Sequence, residues 1–383
     1  MWGVVRPLPH VDMNSHHIEN EVKSFLDLSV SARHHNTVYS TVSLAAVLCL
    51  AAWAGHSITD VAGAPSTDTV FYWMESSIER LDAVFRRFVE KVLRQHPKYW
   101  KRHTPYLLID ETHESYSGKL LWKKHPTPKE KDMLRYIHGY KPKRGDTGSF
   151  RFLTFALVGP TKKLIVRSVP VLADDGCKHS DGKRHAQDCT PLIIETLLWV
   201  RKQVRFKLAI FDRGFYDEQL VKRLKEERIP YLIRARLSKT MLEMIKGMTT
   251  TWAATPYLVG QTASHPGEAT TLVLGKDKDQ PWALITNRLP EQAWRLRHYY
   301  RKRWNIENIF QVCDGINIHT NSTEIEKKLM CFLLSCLIYN IWQHARERTK
   351  GMTLRTFTRK MNHQLEELRK GKGPPLQLSR SNR

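Results

Sequence analysis

Between Tyr106 and Ala235 the chain is punctuated by short apolar runs of strand length, and helical stretches separate the later ones. YLLID at 106–110 has the length of a buried strand. RFLTFALVG and LIVRSVPV follow, with PTKK between them as a hairpin turn. Residues 190–203 then read as a helix, KLAIFD as a strand ending at Asp212, DEQLVKRLKEE as a second helix and YLIRA as a further strand. A hairpin followed by strand–helix–strand units gives a mixed sheet with helical crossovers, so the fold class is α/β.

The flanking regions read differently. Residues 1–100 are mainly helical. VSLAAVLCLAAWAG at 42–55 is too short for an ordinary membrane span and fits a secretory signal poorly, so no membrane partner is expected. SITDVAGAPSTDTVFYWM resembles a helix-turn-helix. Ile58, Val61 and Ala62 form the buried side of a first helix, Gly63 to Pro65 break it, and Ser66 or Thr67 caps a second carrying Val70, Phe71 and Met74. That second helix could lie in a DNA major groove, while a helical hairpin used only for packing fits the same pattern. IERLDAVFRRFVEKVLRQ is amphipathic, and HPKYWKRH is a basic connection. TLVLG and WALIT mark a β-rich insertion at 237–289, and a helix begins near Pro290. KKLMCFLLSCLIYNIWQHARER is a long helix whose apolar residues close a core instead of entering lipid.

The chain has 61 Lys and Arg against 38 Asp and Glu, a formal net charge of +23. That excess favours a polyanionic partner, with nucleic acid ahead of an anionic membrane surface. The tail from Gln343 to Arg383 repeats the bias, with 11 Lys or Arg and 3 Asp or Glu. It reads as a DNA contact or as a flexible solubilising segment. Six dispersed cysteines suggest a reducing compartment instead of a disulfide framework. Cys177, His179, His185 and Cys189 share one polar loop, but their spacing matches no standard zinc finger, and unliganded side chains are the preferred reading.

Three carboxylates stand out against this background. Asp110 and Asp212 each end an apolar run, where a rigid sheet can aim a side chain into a cleft. Glu307 lies in YRKRWNIE on a basic helix. Tyr300, Arg303 and Glu307 are spaced by three and four residues and share one helical face, which Asp314 continues. Ile306, Ile309, Phe310 and Cys313 form the opposite, buried stripe. Singly, each aspartate reads as a cap and Glu307 as an ion-pair partner. Together, on a chain this basic, they suit a magnesium site for phosphoryl transfer, because hard divalent cations prefer oxygen ligands.

LLIDETH at Asp110, AIFDRGFYDEQLVKRLKEERIPYLIRA at Asp212 and YRKRWNIENIFQVCD around Glu307 resemble the transposases of bacterial and archaeal insertion sequences that use a ribonuclease-H-like DDE core. The last block resembles the family pattern Y-x2-R-x3-E-x6-K, with Asp314 in place of its lysine. The resemblance covers about residues 104–345. It implies a ribonuclease-H-like mixed sheet flanked by helices, with a β-rich insertion and a helical N-terminal DNA-binding region.

The implied boundaries are 1–103 for DNA-end binding, 104–236 and 290–345 for the two parts of the catalytic core, 237–289 for the insertion and 346–383 for a basic tail. Asp110, Asp212 and Glu307 would be the catalytic metal ligands for two Mg2+ ions, with Mn2+ as a substitute. Tyr300 and Arg303 would contact element-end DNA. In some relatives an aromatic residue of the insertion holds a flipped base; Trp252, Trp282 and Trp294 are candidates here, with core packing the default. The implied reaction cleaves element ends and transfers the freed 3′-hydroxyl into target DNA, by a cut-and-paste route. Its partners are double-stranded DNA with terminal inverted repeats, target DNA, and further copies of the chain in a homodimer or higher synaptic assembly. The implied location is the cytoplasm, at the nucleoid. The alternatives are a DNA-binding descendant without chemistry and another ribonuclease-H-like nuclease.

Overall fold

The computed structural model describes residues 78–174 and 186–359, apart from 96, 279, 289–292, 319, 321 and 349–351, together with isolated positions between 47 and 70. The helix-turn-helix reading falls almost entirely outside the described residues. So do Cys177, His179, His185 and most of the basic tail. The chain separates into two compact units. One is Phe85–Val312 with Asn321–Leu329; the other is Met1–Val84 with Cys313–Thr320 and Met330–Arg383.

The first unit is built on a sheet. After helices α1 (Ile78–Gln95) and α2 (Pro97–Arg102) comes β1 (Tyr106–Tyr116), then a short helix α3 (Pro128–Leu134) and β2 (Ile137–His138). The hairpin β3 (Gly148–Val158) and β4 (Lys163–Val171) forms as its sequence predicts. Helix α4 (Thr190–Gln203), β5 (Ala209–Phe211), α5 (Glu218–Glu226) and β6 (Tyr231–Arg234) complete the strand–helix alternation. Strands β4, β3 and β1 run antiparallel to their neighbours, and β1, β5 and β6 run parallel. The order β4-β3-β1-β5-β6, three antiparallel strands followed by two parallel crossovers, is the ribonuclease-H-like mixed sheet anticipated above.

Sequence explains the order of burial. In β3, Phe150, Phe152, Leu153, Phe155, Ala156 and Leu157 are all buried, the continuous apolar run of a strand covered on both faces. Ile193, Ile194, Leu197 and Val200 form the buried stripe of α4. Truncating Leu197 or Phe152 to alanine would cost about 2–5 kcal/mol, because the core cannot collapse around the void. Helix α5 begins where the Asp217 side chain accepts from the Leu220 backbone N–H at 3.0 Å.

Residues 237–289 fold as helix α6 (Lys239–Gly247) and three strands, β7 (Trp252–Val259), β8 (Glu268–Asp277) and β9 (Gln280–Thr286). They continue the core sheet. Strand β9 pairs antiparallel with β6, placing Ile233 opposite Ile285, and β8 and β7 follow outward. Trp282 lies flat across Gly275, its register partner, where a side chain on the glycine would strike the indole ring 2.2 Å away. Trp282 is therefore a packing residue, Trp252 is half-buried, and the Trp294 side chain lies outside the described residues.

After β9 come α7 (Ala293–Tyr300), a 3₁₀ turn at Arg301–Arg303, α8 (Trp304–Asp314) and α9 (Ile325–Arg348). In the second unit, α9 is buried on every side from Met330 to Gln343, as a core helix is. Among the described residues no helix is long and apolar enough to cross a membrane.

Candidate active site

Strands β1 and β5 bring the two aspartates together. Ile109 and Phe211 are their last parallel partners, so Asp110 and Asp212 are the next residues along two neighbouring strands. Their settings differ. Asp110 is in mid-strand, because β1 continues to Tyr116 with β3 alone beside it, whereas the sequence predicts a strand ending at this aspartate. Asp212 leaves its strand and opens the 3₁₀ turn at Arg213–Phe215.

Glu307 arrives from the other side, in the first turn of α8, where the positive end of the helix dipole favours a carboxylate. The sequence predicts one helix through Tyr300, Arg303 and Glu307; instead the 3₁₀ turn at Arg301–Arg303 separates α7 from α8. All three side chains still reach the same point. On the opposite stripe Ile306, Ile309 and Cys313 are buried, and Phe310 is half-buried.

That point is the Arg303 guanidinium, whose side chain is 12% exposed. Its Nη1 donates to Asp110 Oδ2 at 3.0 Å and its Nη2 to Glu307 Oε1 at 2.6 Å. Its Nε lies 3.7 Å from Asp212 Oδ1 and is buried without a hydrogen bond. Tyr300, also buried, donates its hydroxyl to Asp212 Oδ1 at 2.9 Å. The structure brings the five residues named from the sequence to one locus, with Tyr300 and Arg303 turned toward the carboxylates.

Electrostatics separates the two aspartates. Burial pushes the Asp110 carboxyl up to about 6, against the Glu111 backbone N–H that it accepts at 2.9 Å and the charge of Arg303. Burial also raises Asp212, but the Arg213 backbone N–H, Arg303, the Tyr300 hydroxyl and Arg234 outweigh it and hold this carboxyl below its ordinary value. Burial and the charge of Asp212 push the Tyr300 phenol upward, so it stays a donor. For Arg303, burial works against the charge, yet Tyr300 and the three carboxylates keep the guanidinium protonated.

Arg234 escaped the sequence reading. It is exposed at the C-terminal end of β6, which runs parallel to β5, and its charge acts on both Asp212 and Tyr300. The signal was present in YLIRA: an arginine ending a strand parallel to KLAIF must emerge on the edge where Asp212 does. Trp304, 63% exposed and adjacent to Arg303, also went unremarked. Cys189, the described member of the Cys/His loop, has a half-buried thiol raised to about 11, first by burial and then by Glu111.

The donor set suits a hard divalent cation. Three carboxylates meet at the Arg303 guanidinium, with the charge of exposed Arg234 acting on Asp212, so negative charge remains in excess. Among the described residues no three His, Cys, Asp or Glu side chains are disposed to hold a metal ion as they stand.

A protein family described as the transposase DDE domain matches residues 108–341. No curated protein matches the chain. Among solved structures, the cryo-EM structure of a piggyBac transposase synaptic complex with hairpin DNA is similar at 16% identity and a TM-score of 0.48, covering 94% of this chain and 80% of that one. The catalytic domain of human endonuclease V is similar at 12% identity and a TM-score of 0.28, covering 70% of this chain and 96% of that one.

Proposed function

The chain belongs to the transposase DDE-domain family, and from that premise we propose that it cuts DNA at the ends of its own element and joins the freed ends to target DNA by a cut-and-paste route. The observation that carries this reading is the convergence of Asp110, Asp212 and Glu307 on one cationic centre at the edge of a ribonuclease-H-like sheet. The three carboxylates are the catalytic triad and would hold two Mg2+ ions, which Mn2+ could replace. When bound, such ions activate the attacking oxygen and stabilise the leaving oxygen of a phosphoryl transfer.

The remaining roles fall to this chain's own groups. Asp110 lies in β1 and Asp212 directly follows β5, so the pairing of these two strands sets how far apart they start. Tyr300 holds one oxygen of Asp212 through its hydroxyl and thereby orients that carboxylate. Arg303 has the planar fork that matches a phosphate, and it is the residue that positions the DNA backbone at the triad. The substrate is double-stranded DNA bearing terminal inverted repeats, and a second duplex is the target. Joining two ends to one target requires more than one copy of the chain, so a dimer or larger synaptic assembly is the working form.

The test uses duplexes carrying the repeats that flank the coding sequence, with Mg2+ and a separate target duplex. The native chain should cleave the repeat end and transfer its 3′-hydroxyl. Asp110→Asn, Asp212→Asn and Glu307→Gln should each lower both steps by about a hundredfold or more, while repeat binding persists. Normal strand transfer by any of the three variants would overturn the triad.

A further inference from the structure

The Arg303 guanidinium sits among the three carboxylates that the reading above assigns to metal. Its three nitrogens each face a different carboxylate: Nη1 faces Asp110, Nη2 Glu307 and Nε Asp212. Bonds of 2.6 and 3.0 Å between a guanidinium and ionised oxygens are strong, charge-assisted contacts. An arginine does not release such a grip by losing its proton, since it remains charged throughout the accessible pH range. It releases only by moving. A divalent cation entering the same cluster would need the same oxygen lone pairs and would meet the repulsion of a positive charge held within hydrogen-bonding distance of them.

The grip is also incomplete, because Nε is buried without a hydrogen bond and its nearest carboxylate oxygen is 3.7 Å away. A DNA phosphodiester offers the guanidinium two non-bridging oxygens, a doubly accepting partner as a carboxylate is. Exposed side chains flank the cluster: Trp304 follows Arg303 in the chain, and the charge of Arg234 acts on Asp212.

The geometry points to Arg303 as the residue that makes metal loading conditional on DNA: in the free protein its guanidinium spans the carboxylates, and a backbone phosphate draws it away and frees them. This inference rests on the metal-triad reading above and adds an order of assembly, with DNA first and metal second. Linkage then requires the converse, so that metal tightens DNA binding by the same factor by which DNA tightens metal binding.

The experiment measures Mn2+ binding by electron paramagnetic resonance on the full chain, with and without a repeat duplex whose scissile phosphate is replaced by an uncleavable linkage. The native chain without DNA should bind Mn2+ weakly and gain about tenfold or more in affinity when the duplex is added. Arg303→Gln should bind Mn2+ about tenfold more tightly than native without DNA and gain little from the duplex. Arg303→Lys retains the buried charge, which protects the fold. It cannot span three carboxylates, so its affinity without DNA should fall between the other two.

Equal Mn2+ affinity for native, Arg303→Gln and Arg303→Lys without DNA, with all three weakened by adding Asp110→Asn, would overturn the gate and leave the triad standing. Mn2+ binding that Asp110→Asn does not alter in any background, with or without DNA, would overturn the gate and the triad together.

Discussion

At the scale of single residues, Tyr300 is a sharp probe of how the site is held. Its buried hydroxyl donates to Asp212 at 2.9 Å, and phenylalanine removes that donor while preserving the ring. A hydrogen bond to a charged acceptor contributes about 1.5–3 kcal/mol, and the lower figure applies because Asp212 is 36% exposed. Tyr300→Phe should therefore slow end cleavage about tenfold while leaving repeat binding nearly unchanged; cleavage at the native rate would deny Tyr300 its orienting role. Much of this was legible. The three- and four-residue spacing places Tyr300, Arg303 and Glu307 together, and the apolar runs single out both aspartates. What spacing cannot convey is that Arg303 closes on Asp110, 193 positions earlier in the chain. That contact depends on β1 and β5 being neighbours and on a 3₁₀ turn that re-aims the helix, which are tertiary facts with no local signature.

At the scale of elements, β1 is instructive because it outruns its own apolar pattern. YLLID ends at Asp110, yet ETHESY stays extended because β3 pairs with it as far as Tyr116. The polar residues at 111–115 are half-buried, and β3 supplies partners for two of them: Glu111 pairs with Arg151 at 3.3 Å, and His113 Nδ1 lies 3.3 Å from Ser149 Oγ. Sheet pairing outweighs the absence of alternating apolar residues, and for that reason the sequence underestimates this strand. Burial first, then Arg151 and His138, lower His113 to about 4. Between its ordinary 6.5 and that value the unfolded chain takes up a proton that the folded chain refuses. This contribution to stability is therefore present above pH 6.5 and is lost as pH falls toward 4. Glu111, raised by burial, acts in the opposite sense, so comparison with a variant isolates the histidine. Urea unfolding at pH 7 and pH 4.5 should show His113→Asn losing about 1 kcal/mol less than native on acidification, after discounting for partial exposure. Equal losses would refute the assignment.

At the scale of the whole molecule, a net charge of +23 predicts how DNA affinity responds to salt. If six to ten phosphates are neutralised, affinity falls by about 10³–10⁵ between 50 and 200 mM salt. Fluorescence anisotropy on a repeat duplex should show this drop for the native chain, and an affinity indifferent to salt would mean that the charge serves something other than the backbone. The same scale governs how the sheet is put together. The sequence marks 237–289 as β-rich, but pairing partners are absent from composition, so the join of β9 to β6 emerges only in three dimensions. That join makes the added strands difficult to trim. Tyr231, Leu232 and Ile233 are wholly buried, and removing β9 would leave β6 a bare edge with open amide and carbonyl groups beside an apolar surface. Such an edge invites pairing with another chain. A shortened protein lacking these strands would therefore precipitate before its chemistry could be assayed, so the added strands double as a guard against self-association.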